Sequence, residues 1–498
     1  MAIAASALPL AGVAAVVGAP AAPAAAATAD ATATITAQAN WIASAQMPNG
    51  AIAVWPDRPT LRLVWPYLAN LAAAGLASAA QVTGNAAYAS DAWSYLRWYS
   101  GAEDPATGYV TDYSILNGTQ LVSKGTYDST DAYAGTFLAA AWDTYSATHD
   151  LAALQSISTG VSGAISAIAS TQQPDGLTWA TPVWHVAYLM DNAQVFGGLK
   201  AAVAIERVLG NSTLETATAG RLQLMRTGIA SLWDPATGAY DWARQSNGWQ
   251  HPTNWSNFYP DAMEQVSAVE WGAVPARRAT AIMAEVASHQ PQWGQPSTLV
   301  NYLNGATVQL EKASYWPSVP IAFNAVGDTT AATSGIASIL SSASSSGYGW
   351  PYTTGDAGQA IIAASGLPLL APTPRTKTAS AKKHVVPRLA SRSARPSPAP
   401  PTRSPAVARP GSTATAHSSI HLLAHRRALR QHSQARAAGI PATVAAITPP
   451  GEARPGGPPV LALSAILVTT AGLSLLLGSA RRRRRAVQPD LVPVRHRR

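Results

Sequence analysis

The stretch Tyr127-Asp128-Ser129-Thr130-Asp131-Ala132-Tyr133-Ala134-Gly135 leads directly into an apolar segment with helical spacing. An Asp followed three residues later by an acidic or amide side chain is typical of a helix start, because both side chains can accept hydrogen bonds from N–H groups that the first turn leaves free. Similar patterns occur at Asp191-Asn192-Ala193-Gln194 and, less closely, at Asp261-Ala262-Met263-Glu264. Each copy follows a loop rich in Trp, Tyr and Pro. The repetition predicts a repeated unit whose equivalent ends meet in one place.

Around these starts, apolar residues recur at helical spacing in twelve segments, and none shows sustained alternation of apolar and polar residues. The segments are 31–46, 60–82, 86–100, 129–148, 150–171, 191–209, 212–232, 260–272, 275–289, 313–326, 329–345 and 356–366. Long connections follow the odd-numbered segments and short connections follow the even-numbered ones. We therefore predict an all-α toroid of six helical hairpins over residues 30–371, with the even-numbered helices lining a central cavity and the long loops at one rim.

The loops themselves repeat. Asp-Pro-Ala-Thr-Gly occurs in identical form at 104–108 and 234–238, while Pro-Asn-Gly at 48–50 is matched by Pro-Asp-Gly at 174–176. Such repetition indicates stacked copies of one supersecondary unit, each of which buries its apolar face only against its neighbours.

The two ends of the chain differ from this body. Residues 1–29 carry no charge and end in small residues, which is typical of a signal peptide. Residues 372–459 are rich in Pro, Ala, Ser, Thr and Arg and predict a disordered basic linker. Residues 460–480 are apolar and long enough to cross a bilayer, and Arg481–Arg485 follow at once. The Arg run predicts that the basic tail 481–498 lies in the cytoplasm and the body at the extracellular face of the membrane.

Charge is distributed unevenly along the chain. Residues 1–371 carry 12 Lys and Arg against 23 Asp and Glu, a charge of −11, whereas the remainder carries +20. An acidic body argues against nucleic acid as a partner, since binding a polyanion requires a basic surface. The basic linker could instead bind an anionic cell-wall polymer or lipid headgroups, or serve only as a solvated stalk. Cysteine is absent, and the body has no His pair at metal-ligand spacing, so we expect neither metal nor cofactor.

Four stretches of the body resemble the six-hairpin glycosidase superfamily, and within it uncharacterised members. They are Tyr127–Gly135, Thr171–Ala180, Tyr188–Asn192 and Tyr259–Ala262, and the likeness extends over about Ala37 to Gly366. The resemblance implies an α/α toroid that acts on sugars. It is a likeness of fold more than of activity, since one fold hosts many functions.

Hydrolysis of a glycosidic bond requires two carboxyl groups, one protonated and one ionised. From the residues, Asp128 or Asp131 is the candidate base, Glu264 or Asp261 the candidate acid, and Asp191 the group that orients a hydroxyl or water. A carboxylate at a helix N-cap should have a lowered pKa, which suits a base. Glu264, a longer side chain among aromatic residues, is better placed to hold a proton. Capping of the helix starts is the competing interpretation for all five residues.

Aromatic rings stack on the apolar faces of sugars, and Trp and Tyr suit surfaces that are partly wet. Candidate substrate-binding residues of the long loops are Trp55, Asp57, Arg58, Tyr127, Trp179, Trp184, His185, Trp255, Tyr259, Trp316 and Trp350. The predicted function is therefore an exported, membrane-anchored glycoside hydrolase. Two alternatives remain: a non-catalytic carbohydrate-binding or cell-wall-binding protein, and a polysaccharide lyase that uses Tyr127 or His185 as base beside Arg58.

Overall fold

The helices of the body follow the sequence segments closely. The computed structural model describes residues 29–56, 63–295, 300–303, 306–309, 315–349 and 351–372. Its helices are α1 Ala29–Ser44, α2 Pro66–Thr83, α3 Ala86–Ala102, α4 Thr130–Thr148, α5 Leu151–Ser156, α6 Ser158–Thr171, α7 Leu189–Leu209, α8 Ser212–Ala230, α9 Asp261–Glu270, α10 Ala276–His289, α11 Ser318–Ala325, α12 Thr329–Ser345 and α13 Thr354–Ser365. Each predicted segment contains one of these helices, except that the fifth divides at Ile157 into α5 and α6.

Some of the predicted features fall outside the described residues. These are the signal peptide up to residue 28, the linker beyond residue 372, the membrane helix 460–480 and the tail, together with Asp57, Arg58 and Trp350. Within the described ranges, every helix is too short or too polar to span a bilayer.

Six helices form a closed inner ring. In ring order, α2, α4, α7, α9, α11 and α13 each pack against the next, and α13 packs against α2. The hairpin partners α1, α3, α6, α8, α10 and α12 pack around this ring. The even-numbered segments of the sequence are therefore the inner helices, and the predicted closure is confirmed for the described residues.

Two pairs of glycines let inner helices approach until their backbones touch. A Cβ on Gly75 of α2 would lie 2.3 Å from Cα of Gly358 on α13, and a Cβ on Gly198 of α7 would lie 2.5 Å from Cα of Gly135 on α4. Any other residue would force these helices apart, since real Cβ atoms do not come so close to backbone. Small residues at these contacts therefore set the width of the ring.

The long loops carry short antiparallel strands, which corrects the prediction of a purely helical body. The strands are β1 Leu63–Val64, β2 Tyr113–Leu116, β3 Gln120–Ser123, β4 Val186–Tyr188, β5 Trp233–Asp234, β6 Ala239–Tyr240, β7 Ala243–Gln245, β8 Gln250–His251, β9 Val300–Leu303 and β10 Ala306–Gln309. None exceeds four residues, which is too short to produce a recognisable alternation in sequence. Two of the sheets, β1-β2-β3 and β4-β7-β8, join neighbouring long loops at the rim.

The predicted internal repeat is present in atomic detail. Gln46 donates to the carbonyl of Gly50 at 3.0 Å, and Gln172 donates to the carbonyl of Gly176 at 3.1 Å. Both glycines have φ of +95°, a conformation that favours glycine. The Pro-Asn-Gly and Pro-Asp-Gly turns are thus the same turn in two hairpins.

The ring is filled beyond the first turns of its inner helices. Residues 69–79 of α2 and residues 130–144 of α4 are buried without interruption. At the far end, the segment after α13 crosses over α4, where Trp142 donates to the carbonyl of Ala371 and Asp143 accepts from its N–H, both at 2.8 Å. Among the described residues, the lumen is therefore filled toward the far end and opens toward the rim that carries the long loops.

Candidate active site

A cavity opens at this rim and holds about 760 Å³ of space free of protein atoms, solvent at its mouth included. Its lining residues follow the i, i+3 or i+4 spacing of single helix faces: Tyr67, Leu68 and Leu71 on α2, Met190 and Gln194 on α7, Met263, Ser267 and Glu270 on α9, and Asp356 and Gln359 on α13. The starts of α2, α7, α9, α11 and α13 therefore meet around one hollow, whereas α4 and the five predicted acids contribute none of its lining residues.

Four of the predicted acids lie within electrostatic reach of one another. Desolvation by the surrounding protein raises the pKa of Asp191 well above its usual range, and the charges of Asp131, Glu264 and Asp128 raise it further. These residues come from three different inner helices or the loops before them. The structure thus brings distant parts of the chain together at the rim.

The interpretation of Asp128, Asp191 and Asp261 as N-caps is wrong. Ser129 caps α4 by accepting from the N–H of Ala132 at 3.0 Å, whereas α7 and α9 begin after residues whose side chains make no cap. Asp128 precedes the cap, Asp261 is the first residue of its helix, and Asp191 lies further into the first turn. The packing of the rim loops places each helix start slightly away from the position that the local pattern predicts.

The predicted fall in the pKa of these carboxyls is also wrong. Desolvation raises the pKa of Asp261 to about 6 and outweighs the hydrogen bonds that it accepts. The pKa of Asp128 rises to about 8, first through desolvation and then through the charges of Asp112 and Asp131. Asp128 is nevertheless exposed, so contact with water moderates its rise.

Asp131, Asp261 and Glu264 hold the helix starts in place. Asp131 is fully buried and accepts from Ser129, from the N–H of Ala132 and, at 2.6 Å, from Thr178 in the loop before α7. Glu264 accepts from the N–H of Met190 and is 3 % exposed. Asp261 accepts from the N–H of Asn254 and from the side-chain amide of Asn257. These hydrogen bonds attach the rim loops to the starts of the inner helices, which is a structural role.

Asp128 and Asp191, in contrast, reach solvent. Asp128 is exposed and Asp191 is partly exposed, although both lie at the starts of helices that the outer ring surrounds. Each lies seven residues before a glycine of the Gly135–Gly198 contact, so the two aspartates lie at similar heights on neighbouring helices that both start at the rim. The charge of Asp128 raises the pKa of Asp191, so the two carboxyls lie within electrostatic reach of each other.

Tyr67 links these acids to the cavity. Its hydroxyl accepts from the side-chain amide of Gln194 at 2.6 Å. Burial raises its pKa most, and the charges of Asp191, Glu270 and Asp128 add to the rise. Tyr67 therefore lies among carboxyls from three neighbouring parts of the ring.

Glu270 and Asp356 also line the cavity, and of these two the sequence reasoning missed Glu270. Burial raises the pKa of Glu270 to about 8, and Gln359 of α13 donates to Glu270 at 3.0 Å. Burial raises the pKa of Asp356 to about 7, while its carboxylate accepts from the N–H and hydroxyl of Thr353. The signal for Glu270 is its place on one helix face with Met263 and Ser267, which lie seven and three residues before it.

Two of the predicted aromatic residues line the cavity. Tyr259 and Trp316 stack with ring centroids 5.5 Å apart. Trp55 is buried in the core, where its indole N–H donates to the carbonyl of Tyr352. Trp255 stacks on His289 of the outer helix α10. Neither Trp55 nor Trp255 lines the cavity.

The remaining aromatic candidates lie in the rim loops beside the cavity. Trp179 stacks on His185 with centroids 3.8 Å apart, and Trp184 donates to the hydroxyl of Tyr188. His185 is exposed, and its ring nitrogen pairs with the carbonyl of Pro182. Tyr127 is partly buried against Tyr109. None of these side chains lines the cavity.

The buried acids predict an unusual dependence of stability on pH. The folded protein raises the pKa of Glu270 to about 8 and that of the buried Asp112 to about 7, so between about pH 4 and these values the folded state binds more protons than the unfolded state. Stability is therefore greatest below the unfolded pKa values and falls as the pH rises, by up to about 1.4 kcal/mol per pH unit for each titrating group. Thermal unfolding of the full-length protein between about pH 5 and pH 8 measures this fall.

Two variants identify the groups responsible. Glu270→Gln should weaken the dependence on pH, because an amide does not titrate in this range. Asp104→Asn changes an exposed carboxyl whose pKa is lowered by its turn, and it should leave the slope over the same pH range unchanged. A melting temperature that rises with pH across this range contradicts the prediction.

The described residues contain no group of three His, Asp or Glu placed to hold a metal ion. No protein-family model matches the chain, and no curated protein is similar to it in sequence. Solved structures that are similar to it include a wild-type glycosidase, with 15 % identity and a TM-score of 0.49 over 69 % of this chain and 98 % of that one.

Two further structures have named substrates or ligands. A GH63 mannosylglycerate hydrolase from Thermus thermophilus in complex with glucose has 13 % identity and a TM-score of 0.48, over 67 % of this chain and 99 % of that one. A rhamnosidase from Klebsiella oxytoca with rhamnose bound has 14 % identity and a TM-score of 0.45, over 68 % of this chain and 64 % of that one. The chain is similar to these solved structures in overall structure.

Proposed function

We propose that this protein hydrolyses glycosidic bonds of an oligosaccharide or polysaccharide at the mouth of the central cavity. The observation that supports this most is the pair Asp128 and Asp191. Both carboxyls reach solvent, both lie at the starts of inner helices in contact, and each has a raised pKa.

The pair provides one proton and one negative charge. Two carboxyls this close do not both ionise readily, because the first charge raises the pKa of the second group. Asp191 is the better proton donor, since it is less exposed and three neighbouring carboxyls act on it. This differs from the orienting part that the sequence suggests for it. Asp128 is more exposed to water, so it is the carboxyl of the pair that ionises.

In the proposed reaction, Asp191 gives its proton to the glycosidic oxygen as the bond to the anomeric carbon breaks. Asp128 removes a proton from a water molecule whose oxygen bonds to that carbon from the opposite side. A spacing of about 6.5–9.5 Å between the two carboxyls would leave room for the water and lead to inversion. Trp316, stacked on Tyr259, presents a ring to the apolar face of the sugar.

The location predicted from the chain ends stays a proposal. Residues 1–29 would export the protein, residues 460–480 would hold it in the lipid bilayer, and the basic linker 372–459 would lie against anionic wall polymer or remain free. Deleting the leader should abolish export, and removing residues 460–485 should release the protein into the medium. Retention of the truncated protein by the membrane fraction contradicts the proposed anchor.

The function is tested by incubating the full-length protein with aryl glycosides and with cell-wall and plant polysaccharides, while new reducing ends are measured. We expect hydrolysis of at least one substrate and its loss in Asp128→Asn. Binding of a glycan without any hydrolysis would support the carbohydrate-binding alternative. Products with an unsaturated sugar end would instead support a lyase, for which Tyr127, His185 and Arg58 were the candidates.

A further inference from the structure

Asparagine precedes glycine at three places in the described part of the chain: Asn49-Gly50, Asn117-Gly118 and Asn247-Gly248. A fourth such pair, Asn304-Gly305, lies outside the described residues. An asparagine in this position can lose its amide without an enzyme, because the next backbone nitrogen can attack the side-chain carbon and glycine has no Cβ to hinder the approach. The reaction requires a free backbone N–H and a side chain that can turn toward it. The surroundings of each pair therefore determine which asparagine reacts.

The pair Asn49-Gly50 is held at both reacting groups. The N–H of Gly50 donates to the carbonyl of Met47 at 2.8 Å, and Oδ1 of Asn49 accepts from the N–H of Ala51 at 3.1 Å. Gly50 is also buried. Because the attacking nitrogen must first lose its proton to solvent, both hydrogen bonds have to open and water has to enter before Asn49 can react.

The pair Asn247-Gly248 is held in the same way, although both residues are exposed. The N–H of Gly248 donates to the carbonyl of Gln245 at 2.9 Å, and Oδ1 of Asn247 accepts from the N–H of Trp249 at 2.9 Å. Exposure to water is therefore not enough for reaction at this pair, since both hydrogen bonds still have to open.

The pair Asn117-Gly118 makes neither of these hydrogen bonds. It forms the tip of the β2–β3 hairpin, where the N–H of Thr119 donates to the carbonyl of Leu116 at 3.2 Å. The φ angles of +50° at Asn117 and +83° at Gly118 are typical of the tight hairpin turn that Asn-Gly favours. Among the described residues, the N–H of Gly118 and the side chain of Asn117 have no hydrogen-bond partner, and Asn117 is exposed.

From this contrast we infer that Asn117 is a site of spontaneous deamidation, at which the folded protein acquires aspartate or isoaspartate. The nitrogen of Gly118 loses its proton to hydroxide and bonds to Cγ of Asn117. The bond from Cγ to the amide nitrogen then breaks, and that nitrogen takes a proton from water and leaves as ammonia. Water opens the resulting succinimide at its side-chain carbonyl to give aspartate, or at its backbone carbonyl to give isoaspartate. This chemistry needs only water and hydroxide, so it does not depend on the proposed function.

Isoaspartate lengthens the main chain within the turn, because the backbone then runs through Cβ and Cγ of residue 117. The hydrogen bond from Thr119 to Leu116 and the pairing of β2 with β3 both depend on the tight turn. The same hairpin is attached to the segment before α4, where the N–H of Asp112 donates to the carbonyl of Thr126 at 2.8 Å. Formation of isoaspartate should therefore loosen this part of the rim.

Peptide mapping by mass spectrometry tests the site during incubation of the full-length protein in mildly alkaline buffer. Each hydrogen bond that must open slows the reaction about threefold to tenfold, so we expect Asn117 to deamidate about ten times faster than Asn49 or Asn247. The rate should also rise with pH, because the attacking nitrogen must lose its proton. Isoaspartate is identified by methyl transfer from an isoaspartate-specific carboxyl methyltransferase. Deamidation of Asn49 or Asn247 as fast as that of Asn117 overturns the inference.

The same incubation in concentrated urea provides the reference. Unfolding removes the hydrogen bonds that distinguish the pairs, so the three asparagines should react at similar rates. A preference for Asn117 that is as large in urea as in the folded protein would mean that the neighbouring sequence, rather than the structure, selects the site. An Asn117 that reacts in urea and stays unmodified in the folded protein would likewise overturn the inference.

Two substitutions at position 117 test the effect on the rim. Asn117→Gly has no amide to lose and tolerates the positive φ, so its melting temperature should not change during the incubation. Asn117→Asp, measured before incubation, contains the direct product without isoaspartate and should melt close to fresh wild type. A melting temperature that falls in aged wild type and in neither variant assigns the loosening to isoaspartate. An equal fall in aged Asn117→Gly contradicts that assignment.

Discussion

Replacing Asp191 by Asn is expected to lower kcat for glycoside hydrolysis by roughly 10²–10⁴-fold, with a much smaller effect on KM. The amide has the same shape as the carboxyl but has no acidic proton to give to the leaving oxygen. Binding of the sugar depends on the deeper cavity and should persist. The measurement is steady-state kinetics of the full-length protein on a substrate accepted in the glycan screen.

The leaving group provides a second readout of the same substitution. An aryl glycoside with an acidic phenol needs little protonation as it departs, whereas an alkyl glycoside depends on it. Asp191→Asn should therefore lose far more activity on the alkyl substrate. Equal losses on both substrates would mean that Asp191 is not the acid.

Two other aspartates serve as controls for this assignment. Asp175→Asn, at an exposed turn where Asp175 pairs with Arg244 at 2.6 Å, should leave kcat unchanged. Asp131→Asn should mainly lower stability, because Asp131 joins the start of α4 to Thr178 and does not reach solvent. A folded Asp131→Asn protein that loses activity as fully as Asp191→Asn would restore Asp131 as the catalytic carboxyl.

Gly358→Ala is expected to lower the free energy of unfolding of the body by about 1–3 kcal/mol, the usual cost of overpacking. This net value already includes the gain in helix propensity from Gly to Ala. Its Cβ would lie 2.2 Å from the carbonyl oxygen of Leu71, in a contact that closes the ring between α13 and α2. Backbone cannot rotate away as a side chain can, so the helices must separate. Urea unfolding of the full-length protein measures the change.

Gly220→Ala is the matched control with the opposite sign. Gly220 lies in the exposed face of α8, and a Cβ there meets no atom within 4 Å. Its replacement should stabilise the protein by about 0.5–1 kcal/mol, the difference in helix propensity. Equal effects at positions 358 and 220 would mean that the close approach of α2 and α13 does not determine the stability of the ring.

The architecture was accessible from sequence because its signals are local and repeated. Helical spacing located the helices, and alternation of long and short connections indicated which of them face inward. The turn at Gly50 and its copy at Gly176 need glycine for their positive φ and because a Cβ would meet a backbone oxygen, of Ser94 and of Leu224 respectively, so the repeat is visible in the sequence. The rim strands were not recognised, since segments of two to four residues leave no period to detect.

The residues of the candidate site were harder to predict from sequence, because their positions depend on how each helix is rotated about its axis within the ring. Asp131 and Glu264 fitted a local capping pattern, yet tertiary packing turned both toward loops and left Asp191 open to solvent. Ser267 and Glu270 share one face of α9 with Met263, but the spacing alone does not show that this face lines the lumen. Only the set of contacts between inner helices fixes which face looks inward.

The course of the chain after α13 determines how the body can be held. Trp142 and Asp143 form hydrogen bonds to Ala371 at the end of the ring opposite the cavity mouth. The described chain therefore ends, at Pro372, on the side of the body away from the mouth. An anchor of the kind proposed for residues 460–480 would therefore hold the body on the side away from the cavity, and a long polymer could reach the rim without passing the point of attachment.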